Sequence, residues 1–191
     1  LELLRPQTAA ILDTGSDHNI TVNVEFCGLN SEFSYSVVQQ DVSNDNFAVL
    51  VNRYAGIGRE FAPKETRKVG RASIDTRVAD QLEKMYADAD AAGHTIFSVS
   101  GYRPYDMQER MYNNMVAQLG PDQNDTAPPG HSEHQTGFTM DISWSSVGGT
   151  LTERMESTEE YKWMMENSYK YGLVLRYPKG YEDITGYMYE P

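Results

Sequence analysis

The spacing of apolar residues changes along this chain, and that change restricts the possible folds more than any other feature. Near the N-terminus apolar and polar residues alternate, as in half-buried strands, at Ile20, Val22, Val24 and Phe26 and again at Phe33, Tyr35 and Val37. Farther on, apolar residues recur at helical spacing, and short helical and extended patterns then follow each other closely. Mixed short elements with short connections predict an α+β fold, a small domain with a central antiparallel sheet flanked by helices.

The first forty-odd residues are predicted to form a hairpin. Gly28-Leu29-Asn30-Ser31 has the composition of a turn between its two strands, and the polar stretch Asp41–Asn46 is typical of a linker. We therefore divide the chain at residue 46. Residues 1–46 are a β-hairpin-like N-terminal extension or small module, and residues 47–191 are the main domain.

Two helices and two extended segments are predicted in the first half of the main domain. The run Phe47–Val51 is a buried strand or extended segment. Asp75 precedes a helix that ends at Gly93, with its apolar side formed by Val78, Leu82, Met85, Ala89 and Ala92. Residues 95–100 form a strand that buries Ile96 and Val99, and a second helix begins near Tyr105. The Met107, Met111 and Met115 stripe of that helix is expected to lie in the core.

The second half of the main domain begins with a loop at Pro121–His131. Phe138, Met140 and Ile142 alternate as in a strand, which places Asp141 on the face opposite the core residues. Ser157 and Glu160 have the spacing of a capping box and open a helix that runs to about Tyr171 and is closed by Gly172. Residues 173–175 are expected to form the next strand.

Charge and composition exclude several classes of function. The 16 basic and 28 acidic residues give a net charge of −12, which argues against nucleic acid or an anionic membrane surface as the main partner. No apolar run approaches the roughly 18 residues of a membrane span. The single cysteine, Cys27, excludes an intrachain disulfide and a cysteine-based zinc cluster. The chain opens without the features of a signal peptide, so an export signal is expected upstream of Leu1.

The polar cluster Gly130–Asp141 carries the strongest indication of chemistry. The sequence has no His-Glu-x-x-His helix, no Gly-x-Ser-x-Gly elbow and no phosphate loop. His134 and Asp141 are residue types that bind zinc, seven positions apart across a turn that leads into a strand. The residues alone leave two interpretations open, a metal site or two surface side chains.

Four ordered motifs of this sequence resemble the D-alanyl-D-alanine carboxypeptidase family of zinc metallopeptidases, which includes vancomycin-resistance D,D-carboxypeptidases and related L,D-carboxypeptidases. They are Ser100-Gly101-Tyr102-Arg103 followed by Gln108, Ser132 to Asp141 (SEHQTGFTMD), Tyr171 to Pro178 (YGLVLRYP) and Ile184 to Pro191 (ITGYMYEP). The resemblance covers residues 47–191. The α+β fold that it implies agrees with the fold read from the residues.

The resemblance assigns roles to six residues. His134 and Asp141 match two zinc ligands, and Glu190 matches the general base that deprotonates the attacking water. Arg103 matches the residue that polarises the scissile carbonyl and stabilises the oxyanion. Gln108 and Ser132 match positions that hold the C-terminal end of the substrate. A purely structural interpretation also remains for Arg103 as an ion-pair partner of Asp106, Gln108 as a surface residue and Ser132 as a turn former.

The family's third zinc ligand is a histidine three residues beyond the catalytic glutamate. The sequence ends at Pro191, so this ligand and the strand that carries it are expected just beyond that residue. His131, three residues before His134, is the nearest substitute within the chain.

The resemblance therefore predicts an extracytoplasmic, secreted or upstream-anchored zinc carboxypeptidase that removes the C-terminal D-alanine of peptidoglycan stem peptides or their precursors. Two alternatives remain open. One is an L,D-carboxypeptidase that acts on tetrapeptides, and the other is a non-catalytic module that binds wall peptides and lacks the third zinc ligand.

Overall fold

A computed structural model of the protein describes the backbone of residues 18–26 and 29–37, and residue 43 and residues 45–189 in full. The chain divides into two compact units, residues 1–42 and residues 43–191.

The described part of the smaller unit is a hairpin, as the alternating pattern predicts. Strand β1 (His18–Phe26) pairs antiparallel with strand β2 (Leu29–Val37), from His18 opposite Val37 to Phe26 opposite Leu29. The predicted position of the turn is wrong, because Leu29, Asn30 and Ser31 already pair with β1. Strand β2 therefore begins at Leu29, within the segment predicted to be the turn.

The larger unit combines short antiparallel strands with helices, which confirms the α+β class. Two strand pairs are present among its described residues, β3 with β4 and β5 with β6. Its strands and α-helices are, in chain order, β3 (Thr66–Val69), β4 (Ala72–Asp75), α1 (Thr76–Ala91), β5 (Ile96–Ser100), α2 (Tyr105–Leu119), β6 (Asp141–Trp144), α3 (Glu159–Asn167) and α4 (Glu182–Thr185).

The core of the larger unit is built on α1. This helix begins after Asp75, whose side chain accepts a hydrogen bond from the Arg77 amide as an N-cap. Its buried side chains pack with residues from β3, β4, β5 and β6 in one cluster, formed by Val69, Ile74, Ala79, Leu82, Met85, Ala89, Ile96, Trp144, Val147 and Met155. The predicted helix and most of its apolar side are confirmed, but the prediction for Ala92 is wrong, because this residue is the exposed C-cap just beyond the end of α1.

Two predictions about buried residues are wrong. Val99 is 41% exposed, because it lies three positions from buried Ile96 and therefore on the opposite face of β5. Met107 and Met111 are exposed by 45% and 37%, and α2 buries Gln108 rather than its methionine stripe. A helical apolar stripe alone does not say whether another element covers it.

Three element boundaries also differ from prediction. The amide of Phe138 binds the Thr136 hydroxyl instead of a strand partner, so β6 begins later, at Asp141. The N-cap of α3 is Thr158 rather than Ser157, and α3 ends at Asn167 before a 3-10 turn (Ser168–Tyr171) that Gly172 closes. Residues 173–175 are not a strand, since the Leu173 amide returns to Ser168 O and Val174 is 76% exposed.

Residues 47–51 join no sheet, and the prediction of a buried strand or extended segment is wrong in part, because residues 47 and 48 form a turn and Phe47 and Leu50 are exposed. Val49 and Val51 are buried in a small second cluster with Ile57 and Phe61. Among the residues that the structure describes, no helix has both the length and the apolar character to cross a membrane.

Candidate active site

The two predicted metal ligands lie at the two ends of one turn, which we call the metal turn (residues 133–141). His134 belongs to a 3-10 turn (Glu133–Thr136), and Asp141 is the first residue of β6. Gly137 ends the 3-10 turn in the left-handed region, with φ of +77°. A Cβ atom there would lie 2.5 Å from Pro63 Cγ, so both conformation and space require glycine at this position.

The hydrogen bonds of His134 determine which of its ring nitrogens can bind a cation. Nδ1 lies 2.7 Å from the carbonyl oxygen of Gly101. Because a carbonyl only accepts, Nδ1 carries the proton, and in the neutral ring Nε2 presents its lone pair. Nε2 lies 3.3 Å from Oδ2 of Asp141, and both side chains are largely buried. Two electron-pair donors at this distance are stabilised by a cation between them.

The geometry of this pair fits a tetrahedral zinc ion. Two ligands at about 2.0–2.1 Å from one zinc ion lie about 3.3 Å apart. The hydrogen bond from His134 Nδ1 to a backbone carbonyl is also the usual outer contact of a zinc-bound histidine. Within the described residues no third histidine, cysteine or acidic side chain completes the group.

His131, the possible substitute ligand, has other partners. Its Nδ1 lies 2.9 Å from the carbonyl oxygen of Asn52, and its own carbonyl accepts a 2.8 Å hydrogen bond from the Tyr187 hydroxyl. A Cβ atom at Gly56 would lie only 2.9 Å from the His131 ring. The residue is therefore packed between two chain segments and joins no group of three possible ligands in the part of the chain that the structure describes.

Gly101 brings the end of β5 close enough to support His134. Tyr102 N donates a 2.7 Å hydrogen bond to Ser73 O at the neighbouring strand. A Cβ atom at Gly101 would overlap with that same oxygen, so only glycine permits the approach. The Gly101 carbonyl is thereby left at the position where it accepts from His134 Nδ1.

Arg103 and Gln108 form one unit next to the metal turn. The Arg103 amide donates to His134 O at 3.0 Å, and its guanidinium donates to Gln108 Oε1 at 2.9 Å and to Ser100 Oγ at 3.2 Å. Gln108 is 1% exposed, and its Nε2 donates to Ala127 O at 2.7 Å. Gln108 is therefore not a surface residue, and its side chain holds Arg103 against the 121–131 loop.

The other two predicted residues differ in how much the structure describes. Ser132 is 7% exposed and precedes the 3-10 turn of His134, without a capping hydrogen bond from its side chain. Glu190, the predicted general base, lies outside the described residues. Their roles stay predictions.

Two contacts of the metal turn were not predicted from the sequence. Glu133 forms an ion pair with Arg176, and its side chain is 12% exposed. Gln135 is fully buried and donates from Nε2 to the carbonyl oxygens of Gly58 and Phe61, at 2.8 and 3.1 Å. Both partners are more than 40 residues away, so no local pattern indicates these contacts.

Comparison with known proteins identifies the family of the chain. Residues 71–191 match the family described as D-alanyl-D-alanine carboxypeptidase (VanY). The Bacillus subtilis (strain 168) protein YodJ, named as a carboxypeptidase, is 37% identical in an alignment of 188 positions that covers 90% of this chain and 68% of that protein.

Two solved structures show the same fold. The LdcB LD-carboxypeptidase, described in relation to peptidoglycan recognition, has a TM-score of 0.73 and 36% identity over 90% of this chain and 81% of that one. A vancomycin-resistance D,D-pentapeptidase VanY, solved as a variant with Zn(II), has a TM-score of 0.61 and 30% identity over 75% of this chain and 83% of that one. The chain thus belongs to the D-alanyl-D-alanine carboxypeptidase family and is a peptidase.

Proposed function

We propose that the protein is a zinc-dependent carboxypeptidase that removes the C-terminal D-alanine from peptidoglycan stem peptides. The observation that carries the proposal is the pair formed by His134 Nε2 and Asp141 Oδ2, 3.3 Å apart, with Nδ1 held by a backbone carbonyl. The zinc complex of the related VanY supports the choice of ion. Because stem peptides are part of the cell wall, we place the action of the protein outside the cytoplasm.

The proposed ion would be held by His134 and Asp141 together with a third protein ligand, since catalytic zinc sites have three. When bound, zinc supplies a Lewis acid and lowers the pKa of water to about 7. The chain's own residues supply the rest of the chemistry. Glu190 would accept the proton of the attacking water and pass it to the leaving amine, as general acid–base catalysis requires.

Arg103 would stabilise the negative charge that develops on the carbonyl oxygen of the scissile bond. The support is its position, since its backbone touches the metal ligand His134 while its guanidinium is oriented by Gln108 and Ser100. A cation fixed before the reaction needs no reorganisation when the charge forms. Ser132, at the start of the metal turn, would contact the C-terminal end of the substrate.

The direct test is mass spectrometry of a stem pentapeptide that ends in D-Ala-D-Ala, incubated with the full-length protein. We expect zinc-dependent loss of one alanine, which a chelator prevents and added zinc restores. His134→Ala should abolish both zinc binding and cleavage, whereas His94→Ala, which removes a histidine outside the site, should change neither. Glu190→Gln should retain zinc and lower turnover by orders of magnitude.

Three outcomes would contradict the proposal. Cleavage that persists in a chelator would exclude a metal mechanism, and zinc bound equally by His134→Ala would exclude the ligand. Peptide that is bound but never cleaved by the zinc-loaded protein would instead favour the non-catalytic wall-peptide-binding module.

A second candidate is L,D-carboxypeptidase activity on tetrapeptides. The observation that favours it is the likeness to LdcB, which has a higher TM-score and identity than the likeness to VanY, 0.73 and 36% against 0.61 and 30%. Both activities release D-alanine, so the substrates must be compared side by side. A larger kcat/KM for a tetrapeptide that ends in an L,D bond than for the pentapeptide would establish the L,D type.

A further inference from the structure

Three residues that are not predicted ligands, Phe47, Asp75 and Arg77, contact the middle of the metal turn. Six residues separate His134 from Asp141, and Gly137 and Phe138 lie halfway. Contacts that hold these two residues act on the path of the chain between the ligands. Gly137 and Phe138 have different partners, one reached through the backbone and the other through the side chain.

The backbone partner of the turn is Asp75, the N-cap of α1. Its amide donates a 2.9 Å hydrogen bond to Gly137 O. A Cβ atom at Gly137 would lie 3.4 Å from Asp75 Cβ, so the two residues are in direct contact. The position of Asp75 therefore determines where the turn changes direction.

Arg77 holds Asp75 in place through two oxygens of one carboxylate. Asp75 Oδ1 accepts from Arg77 N and Nε, both at 2.9 Å, and Oδ2 accepts from Nη2 at 2.8 Å. The Asp75 side chain is 1% exposed. These hydrogen bonds keep the pKa of Asp75 below its ordinary value, so the carboxylate stays charged and paired.

The side-chain partner of the turn is the same arginine. The guanidinium carbon of Arg77 lies 5.1 Å from the ring centroid of Phe138 and 4.7 Å from that of Phe47. The two rings stack on each other at 5.0 Å with an angle of 28° between their planes. Arg77 thus contacts the turn at Phe138 by a cation–π interaction, and Phe47 contacts both Arg77 and Phe138.

We propose that Arg77 is a positioning residue for zinc, which keeps His134 and Asp141 at coordination distance by fixing Gly137 through Asp75 and Phe138 directly. The inference rests on the proposed function for the identity of the ion. Arg77 touches neither ligand, so its effect must pass through the turn. Outer partners of metal ligands commonly change metal affinity by about 10- to 100-fold, and one shell farther out we expect the lower end of that range.

A merely structural role is the alternative, because Arg77 also lies in the first turn of α1. Loss of a helix cap lowers stability without changing the affinity of the molecules that remain folded. A positioning role changes the coordination geometry itself. The absorption spectrum of the cobalt-substituted protein reports this geometry and is independent of turnover.

The test compares Arg77→Met with Arg71→Met in the full-length protein. Arg71 is a matched control, since its guanidinium carbon lies 5.9 Å from the ring of Phe97, at the turn between β3 and β4. We expect Arg77→Met to weaken zinc binding about tenfold in chelator competition and to alter the cobalt spectrum. The zinc affinity of Arg77→Lys should lie between those of the wild type and Arg77→Met, because lysine keeps the charge but cannot form a bidentate contact with Asp75. Arg71→Met should match the wild type.

A gentler variant keeps the test decisive if Arg77→Met does not fold. Phe47 is 57% exposed, so Phe47→Leu removes the aromatic face without opening the core. We expect a two- to threefold loss of zinc affinity and a shift of the cobalt spectrum in the same direction. Unchanged affinity and spectrum in folded Arg77 and Phe47 variants would overturn the inference. Failure of the wild type to bind zinc would instead overturn the proposed function.

Discussion

Helices α1 and α2 have nearly the same length, 16 and 15 residues, yet they bury different kinds of side chain. Helix α1 buries four apolar side chains and packs against β3, β4 and β5. Helix α2 buries one residue, and that residue is the polar Gln108. The first helix holds the larger unit together, whereas the second presents a side chain that orients Arg103.

The starts of the two helices both lie next to the candidate site, but they are capped differently. Asp75 caps α1 with its side chain and also supports Gly137 of the metal turn. Pro104 precedes α2 without a side-chain cap, and the chain just before it carries Arg103. The buried side of α1 therefore serves stability, whereas the N-terminal ends of both helices lie next to the candidate site. Substitutions at these two kinds of position should separate in the same way.

The largest expected effect is on stability, from Leu82→Ala in α1. Leu82 is fully buried, and removal of a buried leucine side chain costs about 2–5 kcal/mol in the free energy of unfolding. Urea denaturation measures this loss, and Met107→Ala in α2 is the control at an exposed position. Folded Leu82→Ala protein should keep the kcat of the wild type. A lower kcat would show that the core and the site are not separate.

The next effect is on activity, from Gln108→Ala in α2. The change leaves the Arg103 guanidinium and the Ala127 carbonyl each without one buried partner, which costs about 1–3 kcal/mol. If Arg103 acts on the developing oxyanion, much of this loss should appear in kcat, about 10- to 100-fold. Steady-state kinetics with the stem peptide measures it.

Arg103→Ala is the reference for that measurement. Removal of an oxyanion donor costs about 100- to 1000-fold in kcat, and the double variant should be no worse than Arg103→Ala alone. Losses that multiply would mean that Gln108 acts independently of Arg103. A change in KM alone would make Gln108 a substrate-binding residue, the role that the resemblance assigned.

A smaller effect concerns the pH dependence of the contact between α1 and β5. Burial raises the pKa of Tyr86 from 10 to about 12, and its hydroxyl lies 2.9 Å from Ser98 Oγ. The folded state therefore keeps a proton that the unfolded state loses above pH 10. The resulting stability is complete below pH 10 and falls by roughly 1–2 kcal/mol as the pH rises towards 12. Urea denaturation at several pH values measures this decrease in stability, and Tyr86→Phe should remove it. If the decrease persists in Tyr86→Phe, another titrating group causes it.

The sequence predicted α1 well because its signals are local. The N-cap at Asp75 and the buried Leu82 and Met85 follow from spacing within one helix. The prediction for α2 was right about its start at Tyr105 and wrong about its buried side. The period of an apolar stripe gives its orientation, but only tertiary contacts decide whether it is covered.

The sequence predicts which residues form the candidate site, but it does not predict their geometry. The motifs contain His134 and Asp141 seven positions apart in the sequence. This spacing does not predict the distance of 3.3 Å between His134 Nε2 and Asp141 Oδ2. The carbonyl that orients His134 comes from Gly101, 33 residues earlier, and Asp75 reaches Gly137 from 62 residues away. These contacts depend on backbone groups, which every residue type has. They also depend on glycines, and the sequence does not show which neighbouring atoms would clash with a larger residue at those positions.

The smallest expected effect is that of Met111→Gln on the outer side of α2. Met111 is 37% exposed, and glutamine keeps both the length of the side chain and the helix propensity. The free energy of unfolding and kcat should both change by less than about 0.5 kcal/mol, the range of surface substitutions. The matched substitution in α1 is Met85→Gln, which buries an amide in the core and should destabilise by several times more. If Met111→Gln lowered stability as much as Met85→Gln, another part of the protein would have to cover the methionine stripe, and α2 would resemble α1 after all.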